Sequence, residues 1–278
     1  MLSYGSEVWG LYRSPQLERV HISFCKELLG VRRQTQNSFI YGELVRPPLY
    51  VRHSVNVIRF WLKIVTMQSI RFVKIMYDKL CSELERSPNT KSWVSLIRNM
   101  LQNSGFHEVW INQGVGDIDI FIRIFRQRVT DIYMQKWSSE LTDSTRARTY
   151  VLISSFSFQS YIDDVNIDKY RMSLSRLRMS AHRLQVEAGR WHKPMAIPYV
   201  ERKCIHCRVL EDEFHFVLEC KLYEDVRSLY VDKYFYVRPN MIKFIELLTS
   251  QNKNVNRKLG MYVFKALKIR QRYYMYYE

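Results

Sequence analysis

Apolar residues in this chain recur at helical spacing between clear stop signals, and that pattern constrains the fold more than any other feature. Ser14-Pro15 reads as an N-cap followed by proline at the first helical position, where its missing N–H costs nothing. Leu17, Val20, His21, Phe24 and Leu28 follow at i, i+3, i+4 spacing, and Gly30 supplies a stop. Pro47-Pro48 breaks the chain again. An apolar run from Val51 to Met76 then places Ile58, Trp61, Leu62 and Val65 on one side, with Arg59 and Lys63 off it. Trp93, Leu96, Ile97, Met100 and Leu101 predict a shorter helix that Gly105 ends. Phe121, Ile122, Phe125, Val129, Ile132 and Tyr133 predict another, with Arg123, Arg126 and Arg128 on its wetter side. Segments 86–91 and 112–117 read as loops. Nine glycines and seven prolines, against 19 tyrosines and 14 phenylalanines, argue against a turn-rich β-sandwich. The expectation is a mainly α protein, an irregular helical array, with no internal repeat. A break near Pro194–Pro198 divides it into a helical region, 1–193, and a C-terminal segment, 194–278, with its own character.

Charge sets the second constraint. The 278 residues carry 43 Lys and Arg against 27 Asp and Glu, a net +16, which calls for a polyanion and most often for nucleic acid. Two short segments supply most of the excess. Residues 168–208 hold ten basic residues against three acids, and residues 253–272 hold seven with no acid at all. In the first, Leu174, Leu177, Ala181, Leu184 and Ala188 form one helical stripe facing a core, and the arginines lie on both edges of it. Arg171, Arg176, Arg178, Arg183, Arg190 and Lys193 are therefore the candidate phosphate contacts. The same geometry suits surface salt bridges, although few acids are near in sequence. About six contacts would cost affinity on the order of 10³ between 50 and 200 mM salt. No stretch is long and apolar enough to cross a bilayer, and the opening residues lack the basic start of a signal peptide. The expected setting is intracellular, nucleus or cytoplasm, with RNA or DNA as partner, no membrane, and protein partners unassigned.

Five cysteines without a secretory signal argue against a disulfide framework. Three of them fall in Cys204-x2-Cys207-x7-His215-x4-Cys220, four soft ligands within seventeen residues. The first pair can aim two thiolates at one ion about 2.3 Å away, and His215 and Cys220 can complete a tetrahedron. Five positions apart, His215 and Cys220 sit about 140° from each other on an ideal helix, so the helix over Phe214–Leu218 must bend or end before Cys220. A closed four-ligand site is structural, and Zn2+ is the expected ion. His206, inside the first pair, is the substitute ligand, and a buried cysteine trio with a hydrogen-bonded His215 is the plainer alternative. Cys25 and Cys81 read as core thiols.

Catalytic motifs are scarce. Tyr161-Ile-Asp163-Asp164 spells a polymerase-like Y-x-D-D, but it runs straight into the basic helix and lacks an upstream carboxylate strand, which reads as coincidence. No Walker loop, G-x-S-x-G elbow or G-x-G-x-x-G is present.

The segments RMSLSRLRMSAHRLQVEAGRW (Arg171–Trp191) and KCIHCRVLEDEFHFVLECKLYEDVR (Lys203–Arg227) resemble the C-terminal region of non-LTR (LINE-type) retrotransposon reverse transcriptases. There an L-R-x-x-x-H-x-L-x-x-E-x-G-R segment precedes a zinc-binding C-x-x-C…E-D-E-x-H-x-x-x-x-C-x-x-Y-x-x-x-R module. LSYGSEVWG (Leu2–Gly10), FCKELLGVRRQTQNSFIYGEL (Phe24–Leu44) and PLYVR (Pro48–Arg52) are similar to the stretch after the polymerase palm of that family. The resemblance covers both ends, with a weaker middle. It implies a fragment or descendant whose palm and endonuclease lie upstream, and a role in gripping element RNA or target DNA. No residue matches the catalytic motif in its setting, so the expected function is a non-catalytic, zinc-containing nucleic-acid-binding fragment. The alternatives are a helical protein-interaction scaffold with a purely structural zinc, or a decayed open reading frame without function.

Overall fold

The computed structural model describes residues 2–277, with side chains to Met275. It is mainly helical, 66% helix, with no strand among the described residues. The chain forms two compact units, Met1–His21 with Pro47–Ser139, and Ile22–Arg46 with Glu140–Glu278. This division differs from the sequence-based segments 1–193 and 194–278. Residues 194–278 share their unit with the basic segment because buried acids of one hold the backbone and side chains of the other, as described below.

In the first unit, the helix Leu49–Val65 supplies the centre of the core through Val57, Ile58 and Trp61. Trp61 stacks on Trp110 at 6.0 Å and donates its indole N–H to the Tyr77 hydroxyl at 2.9 Å. The apolar run expected from Val51 to Met76 is two helices, Leu49–Val65 and Phe72–Arg86, separated by a turn at 66–71. Ser92 and Ser95 cap Trp93–Asn103 reciprocally, and Gly105 follows it at φ 82°. The helix expected around Phe121–Tyr133 spans Ile118–Thr142, with Arg123, Arg126 and Arg128 exposed.

The helix Pro15–Leu28 starts and stops where expected. Gly30, at φ 64°, lets the Val31 N–H reach the Lys26 carbonyl at 3.0 Å, a left-handed cap that only glycine adopts without steric cost. A side chain there would also meet Met172 at 2.3 Å. The buried face of this helix, however, is Ile22, Cys25 and Leu29, whereas Val20, Phe24 and Leu28 are exposed.

The second unit is built around the helices Asp168–Arg178 and Lys253–Tyr277, which pack along each other. Gly260 marks the close approach, since a Cβ there would lie 3.3 Å from the Tyr170 carbonyl. Leu174, Leu177, Tyr262 and Val263 are buried between them, together with Phe216 and Leu218. Tyr150 donates its hydroxyl to the Phe39 carbonyl at 3.0 Å, tying residues 22–46 into the same core.

The basic segment is not one continuous rod. Its helix stops at Arg178, Ser180 takes φ 49°, and only a short helix, Gln185–Ala188, follows. The Ala181 N–H donates to the Arg176 carbonyl at 2.8 Å and the Ser180 N–H to the Leu177 carbonyl at 3.4 Å, the pair of hydrogen bonds of a left-handed helix ending. Serine in place of glycine is stabilised there by a hydrogen bond from its hydroxyl to Glu213 at 3.1 Å. Four of the five stripe residues are buried, and Ala188, beyond the break, is exposed.

Candidate metal centre and basic groove

Cys204 and Cys207 sit on a tight turn closed by a single antiparallel bridge, Lys203 to Leu210. Within it the Cys204 N–H bonds Val209 at 2.7 Å and the Arg208 N–H bonds the Cys204 carbonyl at 2.8 Å. Asp212 then caps the next helix by accepting from the His215 N–H at 2.8 Å. Residues His215–Glu219 form a π-turn, in which the Cys220 N–H reaches the His215 carbonyl at 2.8 Å. The wider winding brings residues five apart onto one side, and so resolves the 140° mismatch of an ideal helix. Cys220 then leaves in extended conformation at φ −58°, ψ 122°.

The result is a cluster in which the Sγ atoms of Cys204, Cys207 and Cys220 and a His215 ring nitrogen all lie within 4.8 Å of one another. Cys220 Sγ is 3.9 Å from Cys204 Sγ and 3.7 Å from Cys207 Sγ. Those distances are far beyond the ~2.05 Å of a disulfide. They match the edge of about 3.8 Å that a tetrahedron with 2.3 Å metal–sulfur bonds requires. The His215 ring is buried and neither nitrogen makes a hydrogen bond, which is costly unless something else binds it. Its Nδ1 lies 3.5 Å from the Glu219 carboxylate, the position of an outer partner that orients a ligating imidazole. The cluster can hold a metal ion.

Electrostatics single out Cys204 as the ionised member of the cluster. The S–H of Cys220 and the His215 ring, working against burial, pull the Cys204 thiol down to about 3. Cys220 is pushed up in return, by the Cys204 thiolate first and burial second. Burial disfavours the charged His215 ring, but Cys204 and Glu219 outweigh it and raise its pKa. Behind the cluster, the buried Arg227 donates to the Cys220 carbonyl at 2.6 Å and to Val217 at 2.8 Å. His206, the substitute ligand, is exposed and pairs with the Tyr273 hydroxyl at 3.2 Å instead. Phe216 and Leu218 enter the core, and Phe214 is half-buried against the ring of Phe244. Cys25 is a buried thiol and Cys81 a half-buried one.

The predicted phosphate contacts divide sharply. Arg178 is buried and takes no part in any surface. It pairs with Glu43 at 2.6 Å, donates to Gln159 at 2.5 Å and to the Leu248 carbonyl, and lies over the Tyr161 ring. A helical wheel places it at the stripe's edge, but Glu43, 135 residues earlier, folds against that edge. Arg190 is also committed internally, to Glu187 at 2.8 Å and to Thr145 at 2.7 and 3.1 Å. Arg171 is held by Asp168 at 2.6 Å and is half-buried. Arg176, Arg183 and Lys193 are exposed, and none of the three is in an ion pair among the described residues. Arg176 donates to the Gly30 carbonyl at 2.6 Å.

Arg32, which the charge pattern did not single out, joins them. Two adjoining grooves of about 360 and 630 Å³ share Arg32, Ala181, His182, Arg183 and Ala188 as lining, and Arg176 closes the larger one. Partial burial, then the charges of Arg183 and Arg176, lower the pKa of Arg32. Glu187, the carboxylate on the groove wall, is neutralised by Arg146 at 3.3 Å and Arg190 at 2.8 Å.

The groove and the metal cluster are joined by two buried acids. Glu211 accepts from the Gln185 N–H at 2.7 Å and pairs with Arg270 through both oxygens at 2.7 Å. Glu213 accepts from Thr149 at 2.9 Å and lies 2.9 Å from His182. Burial raises the Glu213 pKa, but His182 and the other donors outweigh it and hold it below the usual carboxylate range. The Leu184 N–H bonds His182 Nδ1, so Nε2 carries the proton and donates to Glu213. With both nitrogens engaged, His182 is a structural link.

Tyr161-Ile-Asp163-Asp164 forms a four-residue helix, with Asp164 accepting from Asn256 at 2.8 Å. Among the described residues no helix is long and apolar enough to cross a membrane. No family model matches the chain, and neither a curated protein nor a solved structure matches it.

Proposed function

We propose that this chain is a non-catalytic, zinc-containing nucleic-acid-binding protein, related to the segment that follows the palm of non-LTR retrotransposon reverse transcriptases. One observation carries the binding role: Arg32 joins Arg176 and Arg183 of the basic segment on one groove, and none of the three has an ion-pair partner among the described residues. Three guanidinium groups that converge on one groove and repel one another invite phosphates. The spacing of the cysteine sulfurs and the orphaned His215 ring support zinc as the ion. Bound there, it would be held by Cys204, Cys207, His215 and Cys220 and would act as a structural staple. Glu211 and Glu213, from the ligand-bearing stretch, would then fix the backbone that presents Arg183.

The family origin rests on the sequence resemblance at Arg171–Trp191 and Lys203–Arg227. The test is an anisotropy titration with labelled RNA and DNA at low salt. Tight binding that falls at least tenfold when Arg32, Arg176 and Arg183 are all changed to Gln supports the reading. Absence of binding, or full binding by the triple variant, overturns it.

A further inference from the structure

Trp191 stands out among the six tryptophans of the chain. The other five are buried or half-buried, whereas Trp191 is 66% exposed. It lines the same groove as Arg32 and Arg183. Arg146 lies over its ring at 5.9 Å from the centroid, and Arg146 is itself held by Glu187. The indole is thus backed by an anchored cation while most of its surface meets water. An indole that is two-thirds exposed contributes little to the core. It does match the two elements that hold unpaired nucleotides, an aromatic face for a base and guanidinium groups for the strand's phosphates.

A duplex keeps its base faces stacked on each other, so it can use the arginines but not the ring. We infer that the groove takes single-stranded nucleic acid, with one base stacked on Trp191 and the flanking phosphates on Arg32, Arg176 and Arg183. This rests on the proposed nucleic-acid-binding role and narrows it to one substrate class. The two grooves share a wall, so a strand entering past Trp191 continues along Arg183 toward Arg176 without a break.

The experiment uses the full chain and labelled 12-mers of oligo(U), oligo(dT) and a mixed-sequence duplex, with polyglutamate as an anionic control. Wild type should bind either single strand more tightly than the duplex. Trp191→Ala should weaken single-strand binding by ~5- to 100-fold. It should leave duplex binding unchanged, and Trp191→Phe should restore most of the loss. If no nucleic acid binds, the broader reading fails. If nucleic acid binds but Trp191→Ala has no effect, or weakens duplex binding equally, the single-strand inference alone is overturned. Polyglutamate binding as tightly as oligo(U) also overturns it, since a carboxylate chain offers no base to stack.

Discussion

His182 Nε2 and Glu213 Oε1 meet at 2.9 Å in the interior, so the residue before Arg183 is bonded to the residue two before the metal-cluster histidine. Both side chains are buried, and Ser180 and Thr149 donate to the same carboxylate. His182→Ala should therefore cost about 1.5–3 kcal/mol, the range for a hydrogen bond to a charged group. Urea denaturation measures it. Metal content should stay unchanged, while single-strand affinity should fall because Arg183 loses its anchored neighbour.

Metal content is the most direct check on the cluster. Elemental analysis of native protein should find one zinc per chain, and Cys204→Ser or Cys220→Ser should abolish it. Structural zinc contributes about 10–16 kcal/mol of apparent binding in small peptides, as much as a domain's whole stability. Chelation should therefore strip hydrogen-exchange protection from residues 203–223. Zinc retention should also fall as pH drops, because protons compete for the thiolates and the imidazole.

Arg178 and Arg183 are five residues apart and should respond in opposite ways. Arg178→Ala leaves Glu43 buried and unpaired, and should destabilise by about 3–5 kcal/mol. Arg183→Ala removes an exposed group, should change stability by at most about 0.5 kcal/mol, and should weaken RNA binding. Thermal melts and anisotropy separate the two effects.

Salt dependence reports how many arginines touch phosphate. Three contacts on a single strand predict a log–log slope near −2, or about a 20-fold loss between 50 and 200 mM. The six contacts expected from the sequence predict a slope near −4 on a single strand and near −5 on a duplex, the latter being the loss on the order of 10³. Titrations at four salt concentrations distinguish them.

Ser180 occupies a left-handed conformation at φ 49°. Ser180→Gly should be neutral within about 1 kcal/mol, because relief of backbone strain offsets the lost hydrogen bond to Glu213. Ser180→Val should destabilise by more than about 2 kcal/mol, since a β-branched residue resists that conformation. Chemical denaturation of both variants measures the difference.

What the sequence makes legible is local. Gly30 announces its helix stop because glycine alone is at ease there, and Cys204-x2-Cys207 announces its turn because both ligands lie close together in the chain. The end of the arginine helix is hidden because Ser180 replaces the usual glycine and relies on Glu213, 33 residues later. Arg178 reads as a surface residue for the same reason: its partner, Glu43, lies far away in sequence. Arg32 lies outside both strongly basic segments, and only folding brings it beside Arg183. The stripe Val20, Phe24 and Leu28 has perfect helical spacing yet faces outward, since periodicity fixes a face but not which neighbour covers it.

The π-turn at His215–Glu219 gives this short stretch an unusual tolerance. A five-residue turn is an ordinary helical turn carrying one residue more than it needs, and side chains four apart already share a face in the ordinary winding. Shortening the stretch by one position would let it rewind as plain α-helix with imidazole and thiol still side by side. Elsewhere in a buried helix the same deletion would rotate every following side chain by about 100° and scatter the core. The surplus residue marks the one place in the ligand-bearing helix where chain length and ligand register are uncoupled.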